Sequence, residues 1–264
     1  MQDQIQNLID RGAIFYVSHS AGKDSQAMYL HLTRHTMIPA DQIVVVHADL
    51  GEVEWKGVIS HIEDTIEPRH PLNVVRAGKT LLEMVEKRFK NRPDAPSWPS
   101  AAYRQCTSDL KRDPIHKFIR NDLKARGKTL ALNCTGIRAE ESSARAKKNP
   151  FTLNKLLSKA GRKVYDWMPI FDWTTEEVFD RIDKSHQAPH WAYQENERLS
   201  CVFCIMGCAN DLNHGARQRP ELFAKYVEIE KRTGYTMFQG KSLEEKAGIT
   251  VGELAGIPVV TQSI

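Results

Sequence analysis

Two short segments carry residue types at spacings that could do chemistry. The first, Ser20-Ala21-Gly22-Lys23-Asp24-Ser25, combines two hydroxyls, a glycine and a lysine. Placed between a strand and a helix, such a turn aims unpaired backbone N–H groups and the positive end of the helix dipole at one spot, where phosphate is the natural occupant. Ser20 and Ser25 can donate hydroxyl hydrogen bonds, Gly22 lets the backbone approach closely, and Lys23 adds a point charge. Asp24 is informative. A Walker turn needs serine or threonine after Gly-Lys and a glycine five places before that Gly; here Asp24 follows Lys23 and Val17 holds the earlier position, so the chain is no ordinary P-loop ATPase.

The second segment is Cys201-x-x-Cys204-x-x-x-Cys208, three thiols within about two helical turns, a spacing that lets a loop wrap one metal centre. Five unevenly spread cysteines are too few for a secreted disulfide scaffold, and in a reducing compartment such crowding reads as metal or redox chemistry. A fourth ligand is needed. Structural zinc could use histidines such as His190 or His214. The bland alternative packs the thiols as small hydrophobes beside Val202, Phe203, Ile205 and Met206, and Cys134, inside an apolar run, is of that kind.

The elements that must position these groups follow from patterning. The runs 13–17, 43–46, 72–75, 129–134 and 164–168 read as strands, the second so uniformly β-branched that it suits a parallel strand buried on both faces. Helices are predicted over 26–33, 54–66, 81–89, 110–123, 174–182 and 221–231, with Pro114 kinking or beginning the fourth. Strands alternating with helices predict an α/β, Rossmann-like three-layer parallel sheet, with ligand beyond the carboxyl ends at Val17, Val46 and Thr135. A nucleotide-binding domain over 1–173 and a helical C-terminal region over 174–264 carrying the cysteines are expected. With 41% apolar and 27% charged residues the chain is an ordinary folded one. The segment beginning Met1-Gln2-Asp3 lacks a signal pattern and no run of about eighteen apolar residues occurs, so a cytoplasmic protein without membrane partners is expected. A net charge of +4 favours anionic ligands without committing the chain to nucleic acid. Arg138 and Arg145, after the strand ending near Thr135, could set guanidinium forks beside the phosphates and stabilise transition-state charge.

Ser20–Ser25 resembles the Ser-Gly-Gly-Lys-Asp-Ser signature of the PP-loop adenine-nucleotide α-hydrolases, with Ala21 in place of the first glycine. The chain looks most like their phosphoadenosine-phosphosulfate-reductase branch. The likeness continues through His47-Ala48-Asp49-Leu50-Gly51, Arg104-Gln105-Cys106-Thr107-Ser108-Asp109-Leu110-Lys111, the segment from Gly136 to Arg145, Pro169-Ile170-Phe171-Asp172-Trp173-Thr174 and Arg198-Leu199-Ser200-Cys201, in order, over residues 13–208. It implies chemistry at the α-phosphate of ATP, or of adenylyl sulfate or its 3′-phosphorylated form, with Lys23, Asp24, Arg138 and Arg145 doing the chemistry. The nucleotide would be held by 20–25, Asp49, Gly136, Arg138 and Glu141. Asp49 and Glu141 could hold Mg²⁺ or bond the ribose hydroxyls. Cys106, in a family landmark, is the leading fourth thiolate, and four thiolates suit a [4Fe–4S] cluster, with zinc as the alternative metal.

Three functions follow. The first is an ATP pyrophosphatase that adenylates an acceptor for sulfur transfer; it resembles the components of DNA phosphorothioation systems that join this turn to a four-cysteine cluster. DNA or RNA would be the acceptor, a cysteine desulfurase the sulfur donor, and a homo-oligomer the assembly. The second is thiol-dependent reduction of adenylyl sulfate or PAPS to sulfite, disfavoured because no cysteine follows Cys208 and the chain ends Val259-Val260-Thr261-Gln262-Ser263-Ile264 rather than in a Glu-Cys-Gly type tail. The third is a non-catalytic nucleic-acid-binding or regulatory module using the basic residues 145–148 and 155–162.

Overall fold

The computed structural model describes residues 2–255; residues 259–264, where the tail lacks a cysteine, lie outside them. In chain order the elements are α1 (Gln2–Asp10), β1 (Ile14–Ser18), α2 (Lys23–Arg34), β2 (Ile43–Ala48), α3 (Val58–Thr65), β3 (Leu72–Val75), α4 (Leu81–Asn91), α5 (Gln105–Thr107), α6 (Asp113–Ala125), β4 (Leu130–Cys134), α7 (Ser143–Ala146), β5 (Phe151–Leu153), β6 (Lys163–Trp167), α8 (Thr175–Asp183), α9 (Ala209–Gln218), α10 (Pro220–Thr233), α11 (Leu243–Ala247) and α12 (Val251–Ala255). Among the described residues no helix is long and apolar enough to cross a membrane.

The chain divides into two compact units. The first comprises the described residues to Asp49, Lys56–Arg76 and Lys111–Trp191; the second comprises Leu50–Trp55, Ala77–Leu110 and the chain from Ala192 onward. The division is not a single cut after residue 173. Residues 174–191 stay with the first unit because Val178 and Ile182 of α8 join the core that also holds Met28 and Leu32 of α2.

The first unit is the expected α/β sheet, with strand order β3-β2-β1-β4-β6-β5. β1, β2, β3, β4 and β6 are parallel, and β5 runs antiparallel to β6 at the edge. Alternation along the strands explains the layers. Phe15, Val17, Val45, Leu132 and Cys134 face α1, α2 and α8 in one core. Ile14, Tyr16, Val44, Ala131 and Val164 face Ile119 and Leu123 of α6 in the other. Each buried Val, Leu, Ile or Phe side chain among them contributes about 1.5–3 kcal/mol. β1 lies between β2 and β4, so the direction of strand addition reverses there, and the loops after β1 and β4 meet at the switch point where open α/β sheets bind ligands.

Helix boundaries moved where backbone chemistry overruled apolar spacing. Gly57, at φ +80°, delays α3 to Val58. Pro114 sits in the first turn of α6, where its missing N–H costs nothing, so it begins that helix. A π-turn at Ser108–Arg112 precedes it, directly after Cys106. In the second unit, Tyr226 stacks on Trp98 with centroids 5.3 Å apart and meets Phe203 edge-on at 5.1 Å, an aromatic core under α10. Arg219 donates to the Glu52 and Glu54 carbonyl oxygens, tying Leu50–Trp55 to the start of α10.

Candidate nucleotide and metal sites

The phosphate turn occupies residues 20–25 between β1 and α2. Ala21 takes a left-handed conformation, φ +59°, fully buried. This folds the turn so that the Ser20 N–H donates to Ser25 Oγ at 3.1 Å while Ser25 Oγ donates to the Gly22 carbonyl at 2.8 Å. Gly22 is the N-cap of α2 and makes no side-chain cap to its first turn, the arrangement in which helix N-terminal N–H groups can take a phosphate. Lys23 is 7% exposed. Its Nζ lies 3.5 Å from Asp24 and 5.9 Å from the centre of the Phe179 ring.

Arg138 is brought to Asp24 from 114 residues away. Its guanidinium is 2% exposed and bonds Asp24 Oδ1 (2.7 Å), Glu140 Oε2 (2.6 Å), the Trp173 carbonyl (3.0 Å) and Thr175 Oγ1 (3.1 Å). Four of its five N–H donors are thereby used, so in this geometry Arg138 orients Asp24 and braces the turn. Gly136, two residues beyond β4, supports the same place: a Cβ there would lie 2.8 Å from the Asp24 carbonyl oxygen. Glu141 accepts from the Arg138 backbone N–H at 2.9 Å and pairs with Arg145. Asp49, beyond β2, pairs with Arg76 at 2.5 Å. The structure thus joins Ser20, Ser25, Lys23, Asp24, Gly136 and Arg138 in one constellation, and Glu141, bonded to the Arg138 backbone N–H, carries Arg145 on its carboxylate.

Beneath the turn lies a histidine layer that no spacing in the sequence announced. His19 Nδ1 accepts from the Ala21 N–H at 3.2 Å, and its carbonyl accepts from His47 Nδ1 at 2.9 Å. Burial, with smaller contributions from His61 and His47, pushes His19 down to about 3, so it is neutral with the proton on Nε2. Gln26, fully buried, links α2 to Gln187 Oε1 (3.0 Å) and the Ala188 carbonyl (3.1 Å).

The second unit carries the cysteines, and no disulfide joins any of them among the described residues. Burial above all, then Cys201, Cys204, Glu52 and Cys106, raise the proton affinity of Tyr226, whose ring meets Phe203, between Cys201 and Cys204 in sequence. Cys204 Sγ accepts from the Met206 N–H at 3.4 Å and Cys208 Sγ caps α9 by accepting from the Asp211 N–H at 3.5 Å. Such N–H···S bonds suit thiolates that ligate a metal. Glycines make the loop compact: a Cβ on Gly215 would meet Val202 Cγ1 at 2.8 Å, and one on Gly207 the Cys204 carbonyl at 3.0 Å. The two histidines weighed as zinc ligands are otherwise engaged. His190 belongs to the first unit and bonds the Lys56 carbonyl at 3.2 Å; His214 bonds Asn196 Oδ1 at 2.7 Å. Cys134 is a core residue of β4, fully buried, its thiol pushed up by desolvation.

Residues 14–211 match the model of the phosphoadenosine phosphosulfate reductase domain. The chain belongs to the phosphoadenosine phosphosulfate reductase family. Two uncharacterized proteins of Methanocaldococcus jannaschii are 26% and 27% identical, over 81% and 83% of the chain but 40% and 48% of their own lengths. A 37.8 kDa protein of Escherichia phage 186 is 29% identical over 55% of the chain and 42% of its own. The chain therefore spans less than half the length of these curated relatives. Among solved structures, the PAPS reductase of Candida auris in its phosphate complex aligns at 13% identity and a TM-score of 0.46, covering 73% of this chain and 83% of that one.

Proposed function

We propose that this family member is a PP-loop ATP pyrophosphatase that adenylates an acceptor in sulfur transfer, with nucleic-acid thiolation of the phosphorothioation kind as its setting. The observation that carries the reading is the uncapped, serine-latched turn 20–25 with a buried Lys23, beside which Arg138 clamps Asp24. The turn's N–H groups and Lys23 would hold the triphosphate. An acceptor oxygen then attacks the α-phosphorus, the bond from that phosphorus to the bridging oxygen breaks, and pyrophosphate leaves with the electron pair. Lys23 offsets the charge that builds on the phosphoryl oxygens, and Asp24, held by Arg138, keeps Lys23 aimed. Asp49 and Glu141 would offer Mg²⁺ their carboxylates, which also pair with Arg76 and Arg145.

Cys106, Cys201, Cys204 and Cys208 fit the ligand set of a [4Fe–4S] cluster, supported by the influence of Cys106, Cys201 and Cys204 on Tyr226 and the N–H donors on Cys204 and Cys208. When bound, such a cluster supplies redox-active iron for the sulfur chemistry. A cysteine desulfurase as sulfur donor and a DNA or RNA acceptor complete the proposal.

The test is anaerobic purification, iron and sulfide analysis, and a pyrophosphate assay with ATP and magnesium on the same sample. Pyrophosphate release that drops about 10²–10³-fold in Lys23→Ala is expected. Sulfite from an adenylyl sulfate plus thioredoxin, with no pyrophosphate from ATP, would replace the reading with the reductase.

A further inference from the structure

We infer that Tyr226 is a positioning residue for the cysteine-bound group, its phenolic O–H donating a hydrogen bond to a sulfur of the bound cluster. The inference rests on the reading of Cys106, Cys201, Cys204 and Cys208 as cluster ligands and extends it to a residue that no metal-ligand spacing would single out.

Tyr226 is fully buried on α10. Its hydroxyl is inaccessible to solvent and has no hydrogen-bond partner among the described residues. A buried hydroxyl left unpaired costs about 1–3 kcal/mol, so a tyrosine kept where a phenylalanine would fill the same space indicates a partner for its O–H. The groups that act electrostatically on the phenol are Cys201, Cys204, Glu52 and Cys106. Of these, Glu52 is a salt-bridge partner of Lys225, at 2.6 Å. None of these groups accepts from the phenol in this geometry, so the acceptor is a sulfur that a bound cluster would bring.

The ring cannot turn away. Trp98 stacks on it at 5.3 Å, and Phe203, between Cys201 and Cys204 in sequence, meets it edge-on at 5.1 Å. Trp98 is itself fixed by its Nε1 donating to the Tyr235 carbonyl at 2.9 Å. A hydrogen bond to a cluster sulfur stabilises the more negative, reduced state, because the donor's positive hydrogen offsets the added electron. Tyr226 therefore holds the reduction potential above the value the four thiolates alone would set.

The experiment compares the anaerobically reconstituted wild-type protein, Tyr226→Phe, and a variant with 3,5-difluorotyrosine at position 226. Iron and sulfide are counted, and the midpoint potential is read by a redox titration followed by EPR. Tyr226→Phe keeps both aromatic contacts and is expected to hold the same iron and sulfide at a more negative potential; the more acidic fluorinated phenol, a stronger donor, is expected to shift it the other way. Fully loaded proteins with one unchanged potential overturn the inference and leave the cluster reading intact. A wild-type protein that takes up neither iron nor sulfide overturns both. Should Tyr226→Phe fail to fold, the fluorinated protein decides alone, since it keeps every packing contact.

Discussion

At the scale of single residues, Ala21 shows how a departure from a family signature is tolerated. Its φ of +59° lies where an L side chain costs about 1–2 kcal/mol. Replacing it by glycine removes that strain but gives up one buried methyl, about 0.8 kcal/mol, and restores flexibility to the unfolded chain, about 0.5–1 kcal/mol. These terms cancel, so Ala21→Gly is expected to leave stability within about 0.5 kcal/mol of wild type. A β-branched side chain has no such balance: in this fully buried left-handed position Ala21→Val is expected to cost more than about 2 kcal/mol. Urea denaturation of the two variants checks the pair, and an Ala21→Val protein as stable as wild type would mean that the turn relaxes freely. The same scale explains what could be read in advance. The turn 20–25 was legible because its chemistry is local, hydroxyl, glycine and cation within six consecutive residues. The Arg138–Asp24 clamp, the buried Gln26 and Tyr226 were not, because each acquires its role from partners that only the fold supplies.

Elements carry the next level of the site. Gly136, two residues beyond β4, lies against the first turn of α2, and a Cβ there meets only backbone: the Asp24 carbonyl oxygen at 2.8 Å, the Asp24 carbonyl carbon at 2.9 Å and the Ser25 nitrogen at 3.1 Å. No flexible side chain can yield, so the helix start itself must shift. Gly136→Ala is expected to cost about 1–3 kcal/mol in stability and, by moving the N–H groups that face the ligand, to weaken ATP binding about tenfold or more. Calorimetric titration with a non-hydrolysable ATP analogue, beside a thermal melt, measures both; unchanged affinity would detach Gly136 from the nucleotide site. Sequence patterning found five of the six strands because each is a run of four or more mostly apolar residues. It missed β5, three residues at the sheet edge with Thr152 and Leu153 exposed, too short to show a period. It also missed α9, whose His214 and Gly215 are poor helix formers held in place by packing, Gly215 on Val202 and Phe203 and His214 on Trp55.

At the scale of the whole molecule, three of the histidines tie stability to pH. Burial drives His19 down to about 3, His31 to about 4 and His190 to about 4, with charges from His61 and His47, from Arg181 and His35, and from His61, respectively, adding to it. Each has a folded value below the unfolded one of about 6.5. The unfolded chain therefore binds protons first as pH falls, so the stability these residues contribute is complete above about pH 6.5 and is lost on acidification toward pH 4, by up to about 2 kcal/mol per histidine at pH 5. All three belong to the first unit. In the second, Glu230 has the opposite sense: burial raises its value, so its contribution weakens as pH rises and partly offsets the acid loss. Three histidines outweigh one carboxyl. Urea midpoints at pH 7.5 and pH 5 are expected to fall steeply at the lower pH, well above the range where exposed carboxylates titrate. A midpoint that holds steady between the two would mean that these histidines are hydrated and that the layer beneath the phosphate turn is wet.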